Sequence, residues 1–95
     1  MCIRDSNNNI IIEGHTDDIA PNIKSGYHSN WELSSSRALN VAQIFIKRSK
    51  IRPERISIAG YGEYKPLVPN TSEKNREINR RVSIIIVKGQ ASTVY

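Results

Sequence analysis

The chain reads as a small α/β domain, an α+β sandwich in which one long helix lies on a sheet. Three observations predict this. A short all-isoleucine run, "NIII" at 9–12, precedes a long segment with helical periodicity. An alternating run, "RISIA" at 55–59, follows it. The most apolar stretch of the chain, "RRVSIIIVK" at 80–88, comes last, after a short polar segment. Strand–helix–strand order demands a right-handed crossover and two parallel strands, while the third strand is compatible with either direction.

Ile10 to Ile12 are apolar on both faces of a strand, so this strand is expected at the centre of the sheet. Gly14 is expected to end it, and Pro21 and Gly26 mark a loop from Asp18 to Ser29. Ser29-Asn30-Trp31-Glu32 offers a capping box, with a helix from about Asn30 to Arg48. Trp31, Ser34, Ser35, Ala38, Val41, Ala42 and Phe45 share one side at helical spacing and are expected to face the sheet. Pro53 closes the helical segment. Gly60 and Gly62 open a loop running to Asn70, and Glu73 to Arg80 predicts a short polar helix.

Composition bounds the function. Ninety-five residues allow one small domain. A membrane-spanning helix needs roughly 20 mostly apolar residues, and the run Ile84–Val87 is far shorter. The opening "MCIRDSNNN" has no apolar core of a signal peptide, and its first six residues resemble no part of a fold. The expected division is an N-terminal segment at 1–9 outside the fold, a domain at 10–88 and a flexible tail at 89–95. Cys2 is the single cysteine, which excludes an internal disulfide. The net charge of +5 and pI near 9.7 suit an anionic partner. No aromatic residues interleave with the basic clusters at 47–55 and 74–81, so nucleic acid is not expected.

The polar cluster "EGHTDD" at 13–18 lies at the carboxyl end of the first strand, where open sheets with parallel strands place ligands. A metal site would draw on His15 and Asp17 with Asp18 or His28, but no spacing of the HExxH kind supports it. A hydrolase would need a nucleophile beside a base, and Ser34 to Ser36 lack a nucleophile-elbow context. His15 is expected as a structural histidine hydrogen-bonded in the loop, and Asp17 as a turn carboxylate or a binding group. Arg37 lies near the start of the long helix, at the border of its apolar stripe. Asp17 and Arg37 would then form either an internal salt bridge or a site for a zwitterion, the carboxylate taking an ammonium and the guanidinium a carboxylate.

The segments "IIIEGHTD", "SNWELSSSRALNVAQIF", "RISIAGYGEYKPLVPN" and "NREINRRVSIII" resemble, in order and spacing, the OmpA-like peptidoglycan-binding domains, over about Ile10 to Lys88. Within that family, "SNWELSSSRA" and the long 18–29 loop look most like the MotB-type stator subunits of the flagellar motor. The resemblance implies a mixed sheet with helices on one face, here without the family's first strand and helix, and hence a fragment. It implies that Val82 to Val87 pair antiparallel with Ile10 to Ile12. It also implies a non-catalytic periplasmic anchor that holds the diaminopimelate of the peptidoglycan stem peptide, with Asp17 on the ammonium and Arg37 on the carboxylate. Thr16, Leu33, Asn70, Asn79, Arg80 and Arg81 match family positions around the groove. No cofactor is implied. A homodimer partnered by a MotA-like channel subunit is implied for the full-length protein, in which an inner-membrane anchor precedes this domain.

Overall fold

The computed structural model describes residues 8–87. Most of the expected 1–9 segment and the 89–95 tail lie outside them. The elements run β1 (Asn9–His15), α1 (Asn30–Arg48), β2 (Ile56–Gly60), α2 (Glu73–Asn79) and β3 (Arg81–Val87). The sheet order is β2-β1-β3. β1 pairs parallel with β2, in the register Ile10 to Ile56, and antiparallel with β3, with Ile12 opposite Ile84. The sheet is therefore mixed, with the isoleucine strand at its centre. The crossover through α1 accounts for the parallel pair, and the antiparallel direction of β3 is the one the family resemblance implied.

The core sits between α1 and the sheet. Ile10 and Ile12 are completely buried and pack with Ala38, Ala42 and Ile51, flanked by Val41, Phe45, Ile56 and Val82. Small residues let the helix approach closely. Gly14 lies inside β1 and does not end it, contrary to the expectation. Its role is proximity: a Cβ there would overlap the Ser34 carbonyl oxygen of α1. Gly60 plays the same part on β2, against Ser34 and Ser35.

The start of α1 is fixed by Ser29, whose Oγ accepts from Glu32 N at 3.2 Å. The Glu32 carboxylate reaches back, yet it accepts from His28 N (3.2 Å), one residue earlier than a standard capping box places it. Lys47 and Arg48 in the last turn suit the negative end of the helix dipole. The buried face of α1 is formed by Asn30, Ser34, Ala38 and Ala42. Trp31 departs from the expected stripe. It is 51% exposed and stacks on Tyr64 at a centroid distance of 5.0 Å. The reason is positional: its neighbour Asn30 takes the inward direction at the first helical residue, where its amide is needed by the preceding loop.

Candidate functional site

The site grows from the end of β1. Thr16 N donates to Gly62 O (2.9 Å), and Gly62 N donates to Ser34 Oγ (3.0 Å). The loop after β2 therefore bridges the polar cluster to the helix. Gly62 has φ +61°, a conformation that favours glycine. Thr16 Oγ1 donates to the Asp17 carbonyl (2.9 Å). Asn30 Nδ2 donates to the carbonyls of both Asp17 (3.2 Å) and Ile19 (3.1 Å). The backbone at 16–19 is thus held from the helix start as well as from the loop.

Asp17 keeps its carboxylate nearly buried, with 9% of the side chain exposed. Its Oδ1 accepts from Ile19 N (2.9 Å), which confirms the turn role. Its Oδ2 is met by Arg80 Nη1 at 2.7 Å. The predicted internal pair of Asp17 with Arg37 is not formed; Arg80, delivered by the junction of α2 and β3, takes that place. Arg80 also donates from Nη2 to Glu73 Oε1 (2.8 Å). The carboxylates of Glu73 and Asp17 raise the Arg80 pKa above its already high ordinary value, so this guanidinium stays charged.

Asn79 is the hub of the neighbouring loop. It is fully buried; its Oδ1 accepts from Leu67 N (3.0 Å) and Val68 N (3.2 Å). Its Nδ2 donates to Val68 O (2.9 Å) and to Asn70 Oδ1 (2.8 Å). Arg76 ties Asn70 O (3.1 Å) to Asp18 Oδ1 (3.0 Å). Arg81 donates to the carbonyls of Asn79 (3.4 Å) and Lys65 (3.2 Å). Asp17, Thr16, Asn70, Asn79, Arg80 and Arg81 therefore form one continuous polar region. Leu33 and Arg37 stand apart from this network, half-buried on α1, one turn from each other. The Arg37 side chain makes no hydrogen bond or ion pair among the described residues.

His15 belongs to the strand and not to the loop. It is buried, stacked on Tyr61 (5.2 Å), with Nε2 3.2 Å from Glu13 Oε1. The Glu13 contact follows from strand geometry, in which residues two apart share a face. Among the described residues no group of three or more His, Cys, Asp or Glu side chains is arranged to hold a metal. Asn30, Arg76 and Glu73 were missed in the sequence. Asn30 reads there only as a helix-start residue, and nothing local pairs Arg76 with Asp18, 58 positions away.

Fold and site together define a small mixed-sheet domain that presents charged side chains, braced by buried amides, at the carboxyl end of its central strand. The chain belongs to the OmpA family, which it matches over residues 2–80. It is 44% identical over 86 residues to Motility protein B of Bacillus subtilis, covering 90% of this chain and 33% of that protein. The chain thus spans about a third of that relative's length. The fold superposes on the C-terminal domain of Helicobacter pylori MotB with a TM-score of 0.81, at 33% identity, over 90% of this chain and 63% of that one. It also superposes on the cell wall anchor of the T6SS from Pseudomonas aeruginosa, with a TM-score of 0.74, 32% identity, and coverage of 86% and 56%.

Proposed function

We propose that this domain binds peptidoglycan without catalysis, by gripping the diaminopimelate of the stem peptide, and so anchors a MotB-like flagellar stator to the cell wall. The observation that carries this reading is a pair of unequal partners. Asp17 is a nearly buried carboxylate with two of its roughly four acceptor positions used, and Arg37 is a half-buried guanidinium without an internal partner among the described residues. A free amino acid centre offers a carboxylate, the complement Arg37 lacks, and an ammonium for the acceptor positions of Asp17 that Arg80 and Ile19 N leave open. The ammonium enters at Asp17 beside or in place of Arg80, which keeps Glu73 when it lets go. Arg37 takes the carboxylate with its planar fork. Thr16, Leu33, Asn70, Asn79, Arg80 and Arg81 shape the surrounding groove.

The relatives support the wider setting: one carries the name of a motility protein and one neighbour is described as a cell wall anchor. On this reading the domain works in the periplasm, as a homodimer attached to a MotA-like channel subunit. No helix among the described residues is long and apolar enough to cross a membrane, so membrane attachment would come from sequence beyond this domain.

Sedimentation with insoluble peptidoglycan tests the proposal, with free diaminopimelate as competitor. A charged hydrogen bond contributes about 1.5–3 kcal/mol, so Asp17→Asn and Arg37→Ala should each weaken binding by about tenfold to a hundredfold. Arg37→Lys, which keeps charge and loses the fork, should fall between wild type and Arg37→Ala. Lys47→Ala, at the far end of α1, is the control. Folded Asp17→Asn and Arg37→Ala proteins that sediment like wild type would sink the proposal.

A further inference from the structure

The two basic clusters of the chain are used differently. In the second, Arg76, Arg80 and Arg81 commit their guanidinium groups to carboxylates or backbone carbonyls. In the first, the side chains of Lys47, Arg48, Lys50 and Arg52 are exposed and make no hydrogen bond or ion pair among the described residues. Glu54 is the single carboxylate between Ile44 and Ile56. Lys47 and Arg48 serve the negative end of the α1 dipole, but Lys50 and Arg52 lie beyond it. Lys50 is also the one non-glycine residue with positive φ among the described residues, at +59°. Glycine fits that conformation with less strain, so the lysine holds a cation there against the backbone preference. Between the two, Ile51 is 3% exposed in the core, and its N–H donates to Phe45 O (3.4 Å). The connection from α1 to β2 is thus pinned at Ile51, with a cation turned outward on either side.

This cluster occupies the pole where β1 and β2 begin. Ile10 pairs with Ile56 there, and Arg55 Nε donates to Asn8 O (2.8 Å). Asp17 lies past the other end of the seven-residue β1, about 20 Å away. Ile44, 49% exposed, precedes Lys47 and Arg48 by three and four residues and so shares their helix face. Phe45, the aromatic residue of the segment, packs against the core, which leaves no ring to stack on bases.

We propose that this pole is a docking surface for a bilayer rich in anionic phospholipid. Lys47, Arg48, Lys50 and Arg52 meet the lipid phosphates, and Ile44 enters the apolar edge of the headgroup layer. A sheet of phosphates backed by hydrocarbon matches cations joined to an exposed isoleucine, whereas a soluble polyphosphate offers the isoleucine nothing. The proposal uses no residue of the Asp17–Arg37 site and stands without the peptidoglycan reading. With that reading, one pole of the domain faces the bilayer and the opposite pole the wall.

The test floats the 95-residue chain with vesicles of phosphatidylcholine alone and of phosphatidylcholine mixed with phosphatidylglycerol. The mixed vesicles should bind it saturably at low salt and release it at about 0.5 M sodium chloride, and the neutral ones should not bind it. A cation near an anionic surface strengthens binding about fivefold, so Lys50→Gly with Arg52→Gln should weaken it by about tenfold or more. Glycine suits the backbone at position 50, so this variant should unfold at no lower temperature than wild type, which separates lost binding from lost fold. Lys24→Gln with Lys74→Gln removes the same charge elsewhere and should weaken binding by less than about threefold. Ile44→Ser should weaken vesicle binding by about threefold or more and leave binding to inorganic polyphosphate unchanged. A chain that does not bind the mixed vesicles would overturn the proposal. Equal weakening by the two charge-removing pairs would also overturn it, because net charge alone would then suffice. Binding to polyphosphate without binding to vesicles would overturn it in favour of a soluble polyanion. Peptidoglycan sedimentation by the Lys50→Gly, Arg52→Gln variant should match wild type, so the vesicle and peptidoglycan assays fail independently.

Discussion

At the scale of single residues, Asn79 does more than its neighbours in sequence suggest. All its side-chain hydrogen-bonding capacity toward the 67–70 loop is used, and two of its bonds satisfy backbone N–H groups. Asn79→Ala leaves those donors unmet, at about 1–3 kcal/mol for each group that water does not reach. Urea denaturation should show a loss of about 2–3 kcal/mol, and hydrogen exchange should be fastest at Leu67 and Val68. Asn79→Asp retains the acceptor and should lose less. Trp31 makes the opposite case. A buried tryptophan costs about 3–5 kcal/mol on truncation, but Trp31 is half-exposed and its stacking partner is exposed too. Trp31→Ala should therefore lower stability by no more than about 1 kcal/mol in the same experiment.

At the scale of elements, what was legible in the sequence was what local chemistry decides. The cap at Ser29 and the 3.6-residue period place α1, and unbroken isoleucine marks the central strand. The positions of Asp17 just past a strand and of Arg37 near a helix start were also legible, since local sequence sets both. The pairing of Asp17 with Arg80 was not, because it joins positions 63 apart through the turn between α2 and β3. Nor was the exposure of Trp31, which is decided by Asn30 turning inward. Gly14 was legible as special but for the wrong reason, since the need is helix approach and not chain reversal. That reason yields a prediction. Gly14→Ala forces α1 away from β1 and should cost about 1–3 kcal/mol in chemical denaturation. Gly26→Ala has open space around its Cβ and is strained only by its φ of +84°, so it should cost about 1–2 kcal/mol, less than Gly14→Ala. Equal costs at the two positions would show that the helix–sheet contact is looser than the geometry implies.

At the scale of the whole molecule, the helix face of the sheet is only partly covered. Ladder partners point to the same side, so Ile84 and Ile86 of β3 share the face of Ile12 and Ile10. Ile10 and Ile12 are completely buried beneath α1, whereas Ile84 is 44% and Ile86 36% exposed. Ile58 on β2 is 42% exposed on that same face. One helix is too narrow for three strands, and the uncovered isoleucines flank the covered pair. Among the described residues β3 also lies at the edge of the three-stranded sheet, and no further strand pairs with its outer side. An open edge next to exposed isoleucine invites association. The 95-residue chain should therefore self-associate with rising concentration, as read by sedimentation velocity or light scattering. Ile84→Lys with Ile86→Thr should suppress association, because charge on an edge strand opposes pairing. It should cost little stability, since neither side chain is deeply buried. Neither residue belongs to the proposed Asp17–Arg37 site, so on that proposal ligand binding by the substituted monomer should match wild type. A wild-type chain that stays monodisperse at high concentration would show that α1 and the loops shield the sheet better than the exposures of Ile58, Ile84 and Ile86 indicate.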